Sequence, residues 1–391
     1  MGTTYKVVQM GLDSHRNFSK VTARDERGRV AWRQRLEHAD RTRLREQLAA
    51  WPRGVPVVLE ATFGWGWLAD ELAQAGVDPH LASSKKVAGW RKSRGIAKCN
   101  RTDADLLSEL WSEREPWWQV WLAPPEVRDR REWLRYRMGL VQLQTLTKNR
   151  IHATLHRHGI VQSFSDLFGR KGQAFLAQLA DAQDATLRES ARRTLAGHLE
   201  LLRQLRQQIA EVTRELRRQV SADAQAERWR SLPGVSWVLA YTIFAEVGDV
   251  GRFKDGRHLS SYALLAPRAD ESGDESESTP TGRHVGHAGR RTLKWAFIEA
   301  AHGAVRRSAH FKEVFDRRTD GGKKDRNRGY IAVAHALARV GFACCRNATN
   351  YREQPPARPG CKPAETSSRS EARASRPGPG QPEDPMAVAA F

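Results

Sequence analysis

Residues 5–60 read YKVVQMGLDSHRNFSKVTARDERGRVAWRQRLEHADRTRLREQLAAWPRGVPVVLE, and this stretch decides the fold of the first part of the chain. Tyr5 to Asp13 is a mostly apolar run closed by an acid. Asn17 to Arg24 alternates, and the turn Glu26-Arg27-Gly28-Arg29 leads into Val30 to Leu36. Two such runs joined by a short polar turn predict antiparallel strands linked by a hairpin, following a buried first strand. Asp40 to Trp51 has helical spacing at Leu44, Leu48 and Trp51, with Asp40 placed to cap the helix. Pro56 to Glu60 is a short apolar run that also ends in an acid, the pattern of a buried parallel strand.

Working outward, Gly64 to Ala75 reads as a helix with Leu68, Leu72 and Ala75 on one face, and Asp78 to Ala82 as a short strand. Lys98 to Leu107 opens another helix. The order is therefore β-β-β-α-β-α-β-α, with acids at two strand ends, Asp13 and Glu60, and a third on the later helix, Asp103. Carboxylates at strand ends converge only if the strands are neighbours. If they do, they can hold one or two Mg²⁺ (or Mn²⁺) ions that activate a nucleophile and stabilise a leaving oxygen. The plain alternative is that each acid is an ordinary strand-end or cap residue. Asp103 and Asp105 are two apart on a helix and face different ways, whereas Asn100 and Asp103 share a face.

Beyond Pro124-Pro125 the pattern changes. Arg128 to Leu155 is basic and amphipathic, with Leu134, Met138, Val141, Leu146 and Ile151 on one side. A shorter helix covers Gln173 to Leu179. Leu195, Leu199, Leu202, Leu205, Ile209, Val212, Leu216 and Val220 then recur at spacings of three and four, which is a long helix with a coiled-coil-like seam. The seam serves either an internal helical hairpin or a contact between chains. Leu232-Pro233-Gly234-Val235 followed by Ala240 to Gly248 has the form of a helix-hairpin-helix, an element that can point backbone N–H groups at phosphate. Helices are predicted at His258–Leu265, Thr292–Arg307, His310–Arg317 and Ile331–Cys345. The segment from Tyr351 is rich in Pro, Ser, Arg and Glu, a composition that does not build a core. The fold class expected is α/β plus α: a mixed-sheet domain at 1–124, a helical middle at 125–222, a mostly helical domain at 223–348 and a disordered tail at 349–391.

The chain has 391 residues and a net charge of +20, with a sequence pI near 10.4. That excess points to a polyanionic partner, nucleic acid first. No apolar run is long enough to span a bilayer, and the N-terminus lacks a signal-peptide pattern. Cys99, Cys344, Cys345 and Cys361 have no zinc-ligand spacing and fit free thiols in a cytosolic setting. Residues 264–295, LLAPRADESGDESESTPTGRHVGHAGRRTLKW, carry a hydroxyl beside a glycine, Ser272-Gly273. A basic strip follows it, with Arg283, His284, His287, Arg290, Arg291 and Lys294 running into a helix. A hydroxyl on a polar loop opposite cations at a helix start is a place to hold and attack a phosphodiester.

Taken in order, GLD (11–13), VVLEAT (57–62), the Lys98-x-Asn100-x-x-Asp103-Ala104 helix start and REWLRYRMGLVQLQTLTKNRIHATLHRHGI (131–160) resemble the first half of the insertion-sequence 110 transposases. SLPGVSWVLAYTIFAEVGDVGRF (231–253), LSSYALLAPRADESG (259–273) and VGHAGRRTLKWAFIEAA (285–301) resemble their second half. The resemblance implies an RNase H-like (RuvC-like) first domain with a DEDD metal centre, a coiled-coil link and a C-terminal domain with a serine nucleophile. It implies a cytoplasmic, nucleoid-associated bacterial DNA recombinase acting as a homo-oligomer, dimer or tetramer, on double-stranded DNA at element ends and target. A guide RNA from the element is implied as a further partner. Carried over by position, Asp13 and Glu60 match the first two acids, Asp103 the last, and Ser272 the serine. The third acid falls on Asn100, whose amide oxygen can ligate a hard cation but brings no charge. The family's usual Lys and Asn fall on His287 and Arg290, a departure from its pattern, and Arg268, Arg290 and Arg291 are the residues expected to neutralise phosphate. Two other readings of the same residues are a catalytically impaired nucleic-acid-binding relic, which Asn100 favours, and a metal-only RuvC-like nuclease.

Overall fold

The structure is a computed structural model, which describes residues 6–97, 102–181, 183, 186–268, 284–285 and 290–353. Three strands open it: β1 (Val7–Ser14), β2 (Phe18–Asp25) and β3 (Val30–Glu37). Then come α1 (Arg41–Ala49), β4 (Pro56–Glu60), α2 (Trp65–Gln74), β5 (Asp78–Ala82), α3 (Ser84–Ser93), α4 (Thr102–Leu110) and the short β6 (Gln119–Val120). They form one six-stranded mixed sheet in the order β3-β2-β1-β4-β5-β6. β1 pairs antiparallel with β2 and parallel with β4, and β4 runs parallel to β5.

Every predicted strand is present, and the physical reasons are local. β1 is central and buried on both faces, so the alternation that marks a one-sided strand is absent from it. β3 is an edge, and its outward positions are the charged Arg33, Arg35 and Glu37. Asp40 caps α1 by accepting from the Arg43 N–H at 3.0 Å. One sheet face packs Met10, Leu12, Val57 and Leu59 against Leu44, Leu48, Leu68 and Leu72 from α1 and α2. The other packs Val58 and Ala82 against Val87, Leu106, Leu107 and Leu110 from α3 and α4. α3 and β6 are additional to the expected elements.

α5 (Pro125–Arg157) and α7 (Glu189–Ala222) are long helices, with α6 (Arg170–Ala180) between them. They pack antiparallel. Leu134 and Leu140 meet Leu205, Val212 and Leu216 at one end, and Ile151 and Leu155 meet Leu195 and Leu202 at the other. The seam expected on α7 is buried or half-buried along its whole length, and within this chain it forms an internal hairpin. The α5 face needs one correction. Leu146 is 48 % exposed. The inward slot belongs to Thr147, which satisfies its hydroxyl on the Leu143 carbonyl at 2.9 Å.

The remaining helices are α8 (Ala224–Arg230), α9 (Trp237–Val247), α10 (Gly256–Tyr262), α11 (Arg291–Arg307), α12 (Ala309–Thr319) and α13 (Arg326–Arg346). They share one core with the near ends of α5 and α7. Two-residue strands β7 (Pro267–Arg268) and β8 (His284–Val285) pair with each other. Gly234, in the α8–α9 turn, has φ +81°, and a Cβ there would lie 2.3 Å from the Ala300 carbonyl oxygen. The glycine is required because the turn rests directly on the backbone of α11. No helix among the described residues is long and apolar enough to cross a membrane. The segment after residue 353, expected to be disordered, lies outside the described residues.

Candidate functional site

The strand register decides where the acids go. Gly11 pairs with Val58 and Leu12 with Leu59 across parallel β1 and β4. Asp13 and Glu60 stand one step further, side by side. They share a face with Gly11 and Val58, since side chains alternate along a strand. That face is covered by α4. A Cβ on Gly11 would sit 2.1 Å from the Ser108 nitrogen and 2.4 Å from the Ala104 oxygen. Only a residue without a side chain lets the α4 backbone lie on β1. The Gln9 side chain fastens the contact, donating to the Ser108 carbonyl at 2.8 Å. Asp103 belongs to the first turn of this helix, so the same contact carries it toward Asp13.

The electrostatics register the convergence. Burial raises the Asp13 carboxyl above its ordinary range. The charge of His15 pulls it down, while Asp103 and Glu60 push it up. Asp13 Oδ2 and His15 Nε2 pair at 3.0 Å, and neither of these buried atoms has another partner. A buried carboxylate with two further acids in range favours a cation beside it. One cation is already there, since Arg91 of α3 donates to Asp103 at 3.3 Å. Among the described residues no three His, Cys, Asp or Glu side chains are grouped closely enough to ligate a single ion.

Asp105 is a structural residue in this arrangement. It accepts from Thr22 at 2.6 Å and takes both arms of Arg33 at 3.0 and 2.9 Å. Those bonds tie α4 to the β2–β3 hairpin. Burial raises its carboxyl, but the bonds from Arg33 and Thr22 and the charges of Arg33 and Arg24 win, and the net shift is downward. It is committed to these partners. His15 and Arg91 were not singled out in the sequence. His15 was legible in principle, two residues beyond Asp13 at strand spacing. Arg91 carried no local signal.

On the serine side, the expectations for Asn100, Ser272, Arg283 and His287 lie outside the described residues, and only the backbone of Arg268 is described. Arg290 ends the loop and starts α11. It turns inward, donating to the Tyr262 hydroxyl at 3.0 Å and pairing with Glu246 at 3.4 Å. Glu246 also faces Arg131, which is 3 % exposed. Arg131 caps the end of α9 by donating to the carbonyls of Ala245 and Glu246, both at 3.0 Å. Burial, with Arg290 and Arg252 close by, lowers its guanidinium to about 10. Arg252 lies over the Trp121 ring at 4.1 Å. Further along α11, Arg291 is exposed and Lys294 half-buried.

Two family models match the chain, one after the other. A transposase family model for the DEDD proteins of IS110 matches residues 10–160. A second, described as the transposase IS116/IS110/IS902 family, matches residues 226–316. The transposase for insertion sequence element IS1111A of Coxiella burnetii is 26 % identical over 352 residues, covering 88 % of this chain and 91 % of that protein. A probable family 20 transposase of Pseudomonas aeruginosa is 25 % identical over 356 residues, covering 88 % of this chain and 98 % of the other. A pilin gene-inverting protein of Moraxella bovis is 24 % identical over 300 residues, 74 % of this chain and 80 % of that protein. With both models matched in order and relatives aligned along most of its length, the chain belongs to the IS110 family of transposases.

Proposed function

We propose that this protein is the DNA recombinase of an insertion sequence, cleaving and rejoining strands with a carboxylate–metal centre in an RNase H-like domain and a serine nucleophile, Ser272. The observation that carries the reading is the approach of Glu60 on β4 and Asp103 on α4 to the buried Asp13, near enough that both push its carboxyl up, after burial itself. Strand order and the placement of α4 over β1 support the RNase H-like assignment. The matched family models support strand transfer as the reaction class.

Asp13, Glu60 and Asp103 would hold a divalent cation, Mg²⁺ or Mn²⁺, with Asn100 as a neutral fourth oxygen donor. Such an ion makes a hydroxyl oxygen more acidic and stabilises a leaving oxygen. For Asp103 to join the other acids around it, the carboxylate has to leave Arg91. His15 stays beside Asp13 and fixes that carboxylate's orientation. The Ser272 hydroxyl attacks the phosphodiester: its Oγ–P bond forms as a bridging P–O bond breaks, and the released oxygen takes a proton. The phosphoserine–DNA link conserves the bond for rejoining. Arg291 and Lys294 on α11 offer cations to the DNA backbone, with Arg268, Arg283 and His287 as further contacts. Arg290, bound to Tyr262 and Glu246, positions the start of α11. The four-part division at 124, 222 and 348, the homo-oligomer and guidance by an RNA complete the proposal.

The test is excision in cells with the native flanks present, read as the joined circular junction by PCR. Wild type should form circles, and Ser272→Ala and Asp13→Ala should not. Circles from Ser272→Ala would refute the serine mechanism. Circles from Asn100→Asp but not from wild type would mean that this copy is disabled by its missing acid.

A further inference from the structure

Phe63 is 104 % exposed, the most exposed large apolar side chain among the described residues. Scattered exposed apolar residues are normal and by themselves say nothing. This one is distinguished by its place. It stands three residues beyond Glu60, within roughly 10 Å of it along the chain, about the length of three stacked base steps.

The turn that presents it is fixed. The Ala61 N–H donates to the Ala82 carbonyl at 2.8 Å and the Thr62 N–H to the Glu60 carbonyl at 2.8 Å. Ser84 donates its hydroxyl to the Ala61 carbonyl at 3.1 Å. Gly64 turns the chain at φ +84° into α2. Phe63 is thus held out on an anchored turn, uncovered by any of the described residues. Ser84 also brings the exposed Lys85 close in sequence to this turn, while the Lys86 ammonium is held by the Trp117 carbonyl, and neither α2 nor α3 has an acid in its first turn. A flat, fully exposed apolar ring with Lys85 near in sequence, on a chain of net charge +20, matches one kind of partner, a nucleic-acid strand whose base stacks on the ring.

We propose that Phe63 stacks on an unpaired or unstacked base of the DNA strand bound at the acid cluster, and so positions the neighbouring phosphodiester. The proposal rests on the reading of Asp13, Glu60 and Asp103 as the reaction centre. It is tested on the full-length protein in EDTA, where binding is separate from cleavage. Fluorescence anisotropy compares a short single-stranded DNA with an oligonucleotide of the same length whose central nucleotides are abasic. Phe63→Ala should weaken binding to the first on the order of tenfold, leave the second unchanged, and abolish quenching of a 2-aminopurine placed in the strand. Phe63→Trp should retain both. Equal affinities of the wild type for the two strands, or equal losses on them in Phe63→Ala, would overturn the proposal. So would a Phe63→Ala protein that binds DNA normally but changes its self-association in sedimentation, which would make Phe63 a protein contact. Failure of the underlying reading gives a different signal: Asp13→Asn would still form DNA circles, whatever Phe63 does.

Discussion

The acid cluster of the sheet and the arginine junction beside α11 are both charged, partly buried and bound by helices, yet they are built in opposite ways. In the first, backbone places the charges. Asp13 and Glu60 are neighbours because two parallel strands share a register, and Asp103 approaches them because α4 lies on Gly11. Asp103 is paired with Arg91 there, whereas Asp13 keeps a buried oxygen with only the His15 ring beside it. In the second, side chains do the placing. Arg131 and Arg290 reach across α5, α9 and α11 to carbonyls, a phenol and Glu246. A centre set by backbone contact can leave its functional groups uncompensated, which is what a binding site for a cation requires. A junction set by side chains must satisfy them, because those bonds are the structure.

The sharpest way to break the comparison is Gly11→Val. The new Cβ would fall 2.1 Å from the backbone of α4, which cannot move without leaving the sheet. The expected cost is on the order of 4 kcal/mol, at the upper reach of single substitutions, measured by urea unfolding, with circle formation lost as well. Retention of wild-type stability would mean that α4 does not rest on β1. Next comes Arg131→Ala in the junction. It removes two buried bonds to α9 and one partner of Glu246, for an expected loss of about 3 kcal/mol. Arg131→Lys should recover little, because a single ammonium cannot reproduce the guanidinium fork. Full recovery by lysine would show that charge, not the two-carbonyl geometry, holds the junction.

The same contrast explains what could be read from the sequence. Strands and helices of the first domain were legible because each is a local pattern: apolar runs, the Gly28 turn, the Asp40 cap. The seam of α7 was legible for the same reason. Convergence of the acids was legible only as a condition, since it needs β1 beside β4 and α4 on Gly11, and neither pairing is local. Leu146 was misplaced because hydrophobicity favoured it over Thr147, while the structure satisfies the threonine hydroxyl within the helix and turns the leucine outward. α3 escaped notice because its ten residues include three lysines, an arginine and a glycine and bury only Val87. With it went Arg91, the cation on Asp103. Gly234 was read through the phosphate-facing glycine of a hairpin motif, and its backbone contact with α11 supplies a packing reason for the same residue.

Asp103 and Asp105 sharpen the comparison within one helix turn. Asp105 works like the junction, bound on all sides by Arg33 and Thr22. Asp105→Asn should lose about 1 kcal/mol, since the Arg33 pair is partly exposed, and should only reduce circle formation. Asp103→Asn loosens the Arg91 pair, so it should also lose about 1 kcal/mol, but it should abolish circles. If the two substitutions affected circle formation alike, the division of roles along α4 would be wrong.

The smallest expected effect has the opposite sign. Asp13 pays for function with stability: its Oδ2 is buried with only the His15 ring beside it, and two more acids repel its charge. Asp13→Asn keeps the shape and removes the charge. In metal-free buffer at neutral pH it should therefore raise the unfolding free energy by up to about 1 kcal/mol, while circle formation is lost. The wild type should recover the difference on addition of Mg²⁺ or Mn²⁺, because an ion that binds only the folded state stabilises it, and the variant should gain less. A variant less stable than the wild type without metal would mean that the carboxylate is satisfied in the folded protein, and that the cluster is an ordinary set of strand-end acids.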